Sequence, residues 1–399
     1  RLQKLLFTMP IHSNRRSFLH QSLRSLALLP LAGPFLSSCS STPSENEQSV
    51  PQGGKSLNIL ILGGTSFLGP HQIAYALERG HKISTFTRGK TKPSIYADVF
   101  EQVESLVGDR EDNLTALEGR KWDAVIDNSG RKVEWTEATA KLLKNNVDTY
   151  LYTSSTGVFY PYLTDDIKED YLLVTEMPEV LEDEEMKMEY GYGIMKAKSE
   201  MAAREHFGAD RTIVVRPTYM VGPADKTDRF IHWPIRLSKG GEVLVPGKAD
   251  DPVQIADVRD VAEWMIRLIE DKAVGTYNAA GPNAKTGILD FITEAQSAYE
   301  TDNQLVLVDD YDFLKEQGVY YIVPWIMPEG NNWGSSRISN QHAIANGLRF
   351  RPLVETMKDT HAWWYSEAVP AEKREAYENN PDGVLAREKA ILEAWEARG

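Results

Sequence analysis

Leu57-Asn58-Ile59-Leu60-Ile61-Leu62-Gly63-Gly64-Thr65-Ser66-Phe67-Leu68-Gly69 is the stretch on which the reading of this chain turns. Its first six residues are a short apolar run suited to a strand buried on both faces of a parallel sheet. A glycine loop from Gly63 to Gly69 follows, and then a helix-like stretch from Pro70 to Arg79. Strand, glycine loop and helix in that order make a phosphate cradle. Backbone N–H groups at a helix N-terminus hold a pyrophosphate, and Cβ atoms on the closest residues keep it away. Glycine turns also close many ordinary loops, so the next strand carries part of the argument. It runs Lys82 to Thr87 after the Gly80-His81 turn and ends Thr87-Arg88-Gly89-Lys90. An acid at that place grips the ribose hydroxyls of NAD, whereas cations accommodate the 2′-phosphate of NADP, so Arg88 and Lys90 lean toward NADP over NAD. An arginine there also stacks on adenine without selecting a phosphate.

Working outward, Gly108-Asp109 follows another strand and places Asp109 toward the adenine. Val125-Ile126-Asp127-Asn128 closes a fourth strand and places Asn128 near the nicotinamide ribose. Strands at Thr149 to Ser154 and Thr212 to Arg216 come fifth and sixth. The succession reads as an α/β fold, a Rossmann doubly wound parallel sheet over residues 57–217 with a core return near 251–280. A smaller C-terminal α/β substrate lobe and C-terminal helices occupy 218–399, the helices at Leu353 to Tyr365 and Val384 to Ala397. These helices either pack on the sheet or pair with another subunit in a homodimer.

The chain has 399 residues, 42% of them hydrophobic, the profile of a globular enzyme of one large and one smaller domain. Its formal charge is -14, and because residues 1–39 hold five basic and no acidic residues, the remainder stands at -19. That field repels a nucleic-acid backbone, so nucleic acid is not an expected partner. One cysteine, Cys39, allows no intrachain disulfide and no thiolate metal cluster. None of the eight histidines forms a His-x-His or His-x-x-x-His pair with a nearby carboxylate, so no metal is expected.

The front of the chain reads as an address label. Arg15 and Arg16 precede Ser17, Phe18 and Leu19, which resembles a twin-arginine export signal. An apolar stretch from Leu23 to Leu36 is too short, and too interrupted by Pro30, Gly33 and Pro34, for a permanent bilayer span of about 20 residues. Leu36-Ser37-Ser38-Cys39 resembles a bacterial lipobox. Residues 1–39 are thus expected to be an export signal with a lipobox, leaving a periplasmic or membrane-anchored lipoprotein. Residues 40–56, rich in Ser, Pro, Gln, Glu and Gly, form the tether.

Five motifs in order carry a family resemblance. They are the glycine loop; Tyr152-Thr153-Ser154-Ser155-Thr156-Gly157-Val158; Tyr192-Gly193-Ile194-Met195-Lys196; Val215-Arg216-Pro217 with Val221-Gly222-Pro223; and Asp257-Val258-Arg259-Asp260-Val261-Ala262. From Asn58 to about Trp364 the chain resembles the NAD-dependent epimerase/dehydratase family of extended short-chain dehydrogenases, in the atypical branch whose loop reads Gly-Gly-Thr-x-Phe-Leu-Gly. Chloroplast stem-loop RNA-binding proteins share that loop. Ser66 departs from the family pattern at the middle glycine position, where its hydroxyl offers a donor to phosphate while its Cβ narrows the approach. The resemblance implies that Gly63, Gly64, Thr65, Ser66, Phe67, Leu68, Gly69 and Pro217 help to hold the cofactor.

It further implies a catalytic pair at Tyr192 and Lys196, four residues apart and so on one helix face, with the Ser155 hydroxyl on the substrate oxygen and Thr156 as its nearest substitute. Lys196 also holds the nicotinamide ribose in this reading. An unperturbed phenol with pKa about 10 is a poor proton shuttle at neutral pH, so a nearby ammonium must stabilise its phenolate. Tyr311-Asp312-Phe313-Leu314-Lys315 has the same spacing, but it lies far downstream, which assigns it a structural role. Gly191 and Gly193 each cost a helix interior about 1 kcal/mol, which places Tyr192 near a helix start. Tyr219 and Arg229 fall where the family's substrate loop begins. Asp257, Arg259 and Asp260 read as a structural ion-pair network. The aromatic cluster from Tyr320 to Trp333 either lines a sugar-sized pocket or belongs to the core.

The resemblance implies hydride transfer on a sugar or sugar-derived substrate. Export favours a redox-neutral cycle on a tightly held cofactor, because the envelope offers no obvious supply of NADPH. The alternatives are a net reductase of a small carbonyl compound and a non-catalytic dinucleotide-binding protein.

Overall fold

A computed structural model describes residues 55–398. Arg15, Arg16 and Cys39, with the whole expected signal and nearly all of the tether, lie outside the described residues. Seven strands form one sheet: β1 (Asn58–Leu62), β2 (Lys82–Thr87), β3 (Glu104–Val107), β4 (Trp122–Asp127), β5 (Val147–Thr153), β6 (Thr212–Pro217) and β7 (Gly275–Ala279). Every pairing is parallel, in the order β7-β6-β5-β4-β1-β2-β3. The winding reverses between β1 and β4, and the crevice at the carboxyl ends of those strands is where an open α/β sheet binds ligand.

Alternation along each strand explains why the central runs are apolar throughout. Ile59 and Ile61 of β1, with Ala124, Ile126, Leu151, Ile213 and Val215, face one core. Leu60 and Leu62, with Val125, Tyr150, Tyr152 and Val214, face the other. Helices α1 (Leu68–Glu78) and α4 (Val258–Glu270) pack together on the first face. Helices α2 (Val133–Leu143) and α3 (Glu184–Phe207) pack together on the second.

Helix α1 begins two residues earlier than its sequence suggests, at Leu68. Gly69 makes this possible. An added Cβ there would stand 2.3 Å from the Cα of Gly64, so the first helical turn rests directly on the loop backbone.

Segment 251–280 returns to the sheet, supplying α4 and the edge strand β7. Beyond β6 a third core gathers Trp233, Val243, Val245, Phe291, Trp325 and Met357. It contains a two-stranded parallel ribbon, Gly241–Pro246 with Asn303–Val308. The helices foreseen near the C-terminus run Leu353–Trp364 and Val384–Glu396. The second packs Ile391 and Leu392 into this lobe core, and its Glu388 accepts a hydrogen bond from the Leu244 N–H at 2.9 Å while pairing with Arg236. Among the described residues no helix is long and apolar enough to cross a membrane.

Candidate active site

The loop after β1 is shaped by two glycines in left-handed backbone conformations, Gly63 at φ 99° and Gly64 at φ 96°. An L side chain is strained in that region, so the glycines let the chain turn sharply under the sheet edge. Of the loop side chains, Thr65 and Ser66 face a cavity of about 370 Å³, whereas Phe67 and Leu68 pack down into the core beneath α1. The same cavity is bordered by Arg88, Lys90, Asp109 and Arg131. Arg88 and Lys90 are exposed, and among the described residues neither has an acceptor. A glycine cradle at a helix start and free cations beside it fit a phosphate-bearing dinucleotide. Asp109 closes an Asx turn, its Oδ1 accepting the Glu111 N–H at 3.0 Å.

Beneath this cavity lies a buried pair that the sequence reading missed. Arg110 donates to Asp127, to the Trp135 carbonyl and Thr139 hydroxyl at 2.8 Å each, and to the Ser129 hydroxyl at 3.1 Å. Asp127 also accepts from Tyr150 at 2.7 Å. Burial alone would push the Asp127 carboxyl up, but the Arg110 guanidinium outweighs it and holds it below the usual carboxylate range. The signal was present as an arginine directly after Gly108-Asp109, yet only the fold shows that it turns inward. Asn128, expected at the ribose, braces the loops: its amide donates to Gln72 at 2.6 Å and accepts from Thr153 at 2.8 Å.

Tyr192 and Lys196 both lie on α3. Lys196 is buried, with Nζ donating to the Thr153 carbonyl at 2.9 Å and lying 5.1 Å from the Tyr152 ring centroid. Burial pulls its pKa down to about 8, against the opposing fields of Asp127 and Glu200. Tyr192 opens to the cleft, 44% exposed. Burial raises its pKa, while the Ser155 hydroxyl, donating to the phenolate, and the charges of Arg229 and Arg131 work to lower it. The Ser155 Oγ accepts the Gly157 N–H at 3.0 Å, which leaves its own O–H free to donate.

The two glycines flanking Tyr192 sit inside a 24-residue helix and not at its start. Gly193 has a reason: a Cβ there would stand 2.5 Å from the Gly157 carbonyl oxygen. Gly157 in turn makes room for the Tyr192 ring, whose Cε1 would lie 2.9 Å from an added Cβ.

Thr156 does not face the cleft. It is buried, and its hydroxyl donates to the Pro217 carbonyl at 3.4 Å, which ties the β5 exit to the β6 exit. Tyr219 lies beside the cleft with the Arg229 guanidinium 4.8 Å from its ring centroid. Arg229 is exposed, and its Nε donates to Thr227 at 3.0 Å.

The second Tyr-x-x-x-Lys sits in the lobe. Tyr311 donates to Asp251 at 2.5 Å and Lys315 pairs with Glu329 at 2.7 Å. Asp257, Arg259 and Asp260 form an ion-pair network with Arg351, whose Nε lies 2.6 Å from Asp260. The aromatic cluster divides. Trp325 is core, with its indole N–H on Asp251 at 2.8 Å, whereas Tyr320, Tyr321 and Trp333 are exposed. Among the described residues no group of three metal-ligating side chains converges.

Three kinds of similarity bear on this arrangement. Residues 59–280 match the model of the NAD dependent epimerase/dehydratase family. The chain is 28% identical over 240 residues to the chloroplast stem-loop binding protein of 41 kDa b of Arabidopsis thaliana, which covers 56% of this chain and 58% of that protein, so the match spans little more than half of its length. Among solved structures, the Bordetella bronchiseptica enzyme WbmH in complex with NAD+ aligns with TM-score 0.56 and 16% identity, over 79% of this chain and 100% of that one. The UDP-glucuronic acid 4-epimerase of Bacillus cereus, in complex with NAD, aligns with TM-score 0.52 and 15% identity, over 79% of this chain and 99% of that one. At such identities these structures establish the shared fold. With the family match spanning more than half of the chain, from β1 to the end of β7, this protein belongs to the NAD-dependent epimerase/dehydratase family.

Proposed function

We propose that the protein moves hydride between a bound nicotinamide dinucleotide and a carbon of a sugar or sugar-derived substrate, in a redox-neutral epimerisation or elimination. The observation that carries the reading is a buried Lys196 ammonium four residues along α3 from an exposed Tyr192. When bound, the dinucleotide supplies a nicotinamide ring able to accept a hydride and return it. Tyr192 takes the proton of the substrate hydroxyl and later gives it back. Arg229 and Arg131 supply positive charge that makes the phenolate accessible, and the Lys196 ammonium stands one turn away on the same helix. Ser155 donates to the same substrate oxygen. The loop from Gly63 to Ser66 holds the pyrophosphate, and Arg88 and Lys90 favour NADP by meeting its 2′-phosphate.

Sugar chemistry is supported by the UDP-sugar epimerases among proteins of this fold. Stem-loop binding, which the name of the Arabidopsis relative gives for that protein, is opposed here by the net charge of -14, which repels a nucleic-acid backbone. Export through Arg15 and Arg16, with lipidation at Cys39, completes the proposal, and fusing residues 1–45 to an export reporter tests it. Chemistry is tested by Tyr192→Phe. Turnover should fall by about 100-fold or more with dinucleotide affinity kept; undiminished turnover would overturn the assignment. Mass spectrometry of denatured protein should release a nicotinamide nucleotide, and its absence counts against a tightly held cofactor.

A further inference from the structure

Helix α3 continues past the proposed pair with a third functional group on the same stripe, because positions 192, 196 and 200 are spaced by four. Glu200 is fully buried. Its carboxylate receives the Nε of Arg216 at 2.9 Å and the Nη2 at 2.7 Å, a two-pronged pair in which Arg216 is also buried. The same carboxylate accepts the Ser154 hydroxyl at 2.5 Å. Ser154 stands between the residue whose carbonyl holds Lys196 and the residue whose hydroxyl faces Tyr192. Its backbone N–H donates to the Val215 carbonyl, the neighbour of Arg216, at 2.7 Å.

Two ions taken out of water gain little net stability over apolar residues of equal volume. Such a pair, built next to a reaction centre, invites a positional explanation. Every member of the Thr153-Ser154-Ser155-Thr156 tetrapeptide is tied: Thr153 to Lys196 and Asn128, Ser154 to Glu200, Ser155 to Gly157, and Thr156 to Pro217. The Thr153 tie runs to the buried Lys196 ammonium, and the Ser154 tie runs to a buried carboxylate one turn farther along the same helix face. We infer that Glu200 and Arg216 are positioning residues, which through Ser154 set the Ser155 hydroxyl against Tyr192 and keep a negative charge one turn from Lys196. This rests on the proposed roles of Tyr192 and Lys196.

Both consequences have a sign. The hydrogen bond from Ser155 lowers Tyr192, and Glu200, with Asp127, holds Lys196 up while Arg131 and Arg110 push it down. The test uses the full chain with bound NADP+ and side-chain NMR of carbon-labelled tyrosine and lysine, with Tyr192→Phe and Lys196→Met identifying the two resonances. Ser154→Ala should raise the Tyr192 pKa by about one unit, because the loosened loop releases Ser155. Glu200→Gln should lower the Lys196 pKa relative to the wild type, because a negative charge one turn away is removed. Ser154→Ala leaves the ion pair intact and decides the matter if Glu200→Gln does not fold. A purely structural role lowers the melting temperature of these variants and leaves both titrations in place, which would overturn the inference. If no tyrosine resonance that responds to NADP+ disappears in Tyr192→Phe, the reading of the site fails first, and the two failures are distinguishable.

Discussion

Arg88 and Lys90 stand at the end of β2 with no protein acceptor among the described residues, whereas Arg110, on the same cavity wall, has its guanidinium committed to Asp127 and α2. A free cation beside a phosphate loop contributes to binding in proportion to the charge it meets, and a charge-assisted hydrogen bond is worth about 1.5–3 kcal/mol. Replacing both residues by alanine should therefore weaken NADP binding by about tenfold or more. NAD binding should stay within about twofold, since it lacks the 2′-phosphate. Fluorescence titration with the reduced dinucleotides compares them, and an equal loss for both would show that the cations act on the shared pyrophosphate or adenine.

The helix carrying Tyr192 shows how local preference and packing give opposite answers two residues apart. Intrinsic preference alone makes Gly191→Ala and Gly193→Ala both favourable, by about 0.5–1 kcal/mol each. Around Gly191 the nearest atom to an added Cβ is the Met177 Cε at 4.0 Å, an ordinary contact, so stabilisation is expected there. At Gly193 the Gly157 carbonyl stands 2.5 Å away, and relieving that clash displaces either α3 or the Ser155 loop. A net loss of about 1–3 kcal/mol follows, on the scale of overpacking. Urea unfolding of the two variants gives the comparison. Equal gains would mean that the helix and the Thr156–Phe159 turn are not in contact.

At the scale of the whole molecule, two buried histidines make stability depend on acid. Burial pulls His71 down to about 4 and His232 down to about 3. In the unfolded chain a histidine takes its proton near pH 6.5. As pH falls from about 6.5 toward 4 the unfolded state therefore binds protons that the folded state refuses, and stability is lost at about 1.4 kcal/mol per pH unit for each group. His232→Phe should remove one such contribution. Its urea-unfolding free energy should drop less than the wild type's between pH 6.5 and 5, by on the order of 2 kcal/mol. Parallel decline of both proteins would mean that His232 is protonated in the fold.

The order of strand, glycine loop, cation-ended second strand and a Tyr-Lys pair could be read without coordinates, because each depends on spacing along the chain. Periodicity located the strands and the last two long helices to within a few residues. It could not reveal Arg110 on Asp127, Arg216 on Glu200 or Thr156 on the Pro217 carbonyl, since those partners are 17, 16 and 61 residues apart. Nor could it separate Tyr192 from Tyr311 except by position, as the two segments carry the same spacing. What separates them is burial and neighbours: one phenol opens to a cleft on the helix face of a desolvated ammonium, while the other is spent on Asp251. Sequence determined which groups are present and how they repeat. Tertiary structure decided which of them meet, because desolvation and hydrogen bonding act between surfaces that only folding brings together.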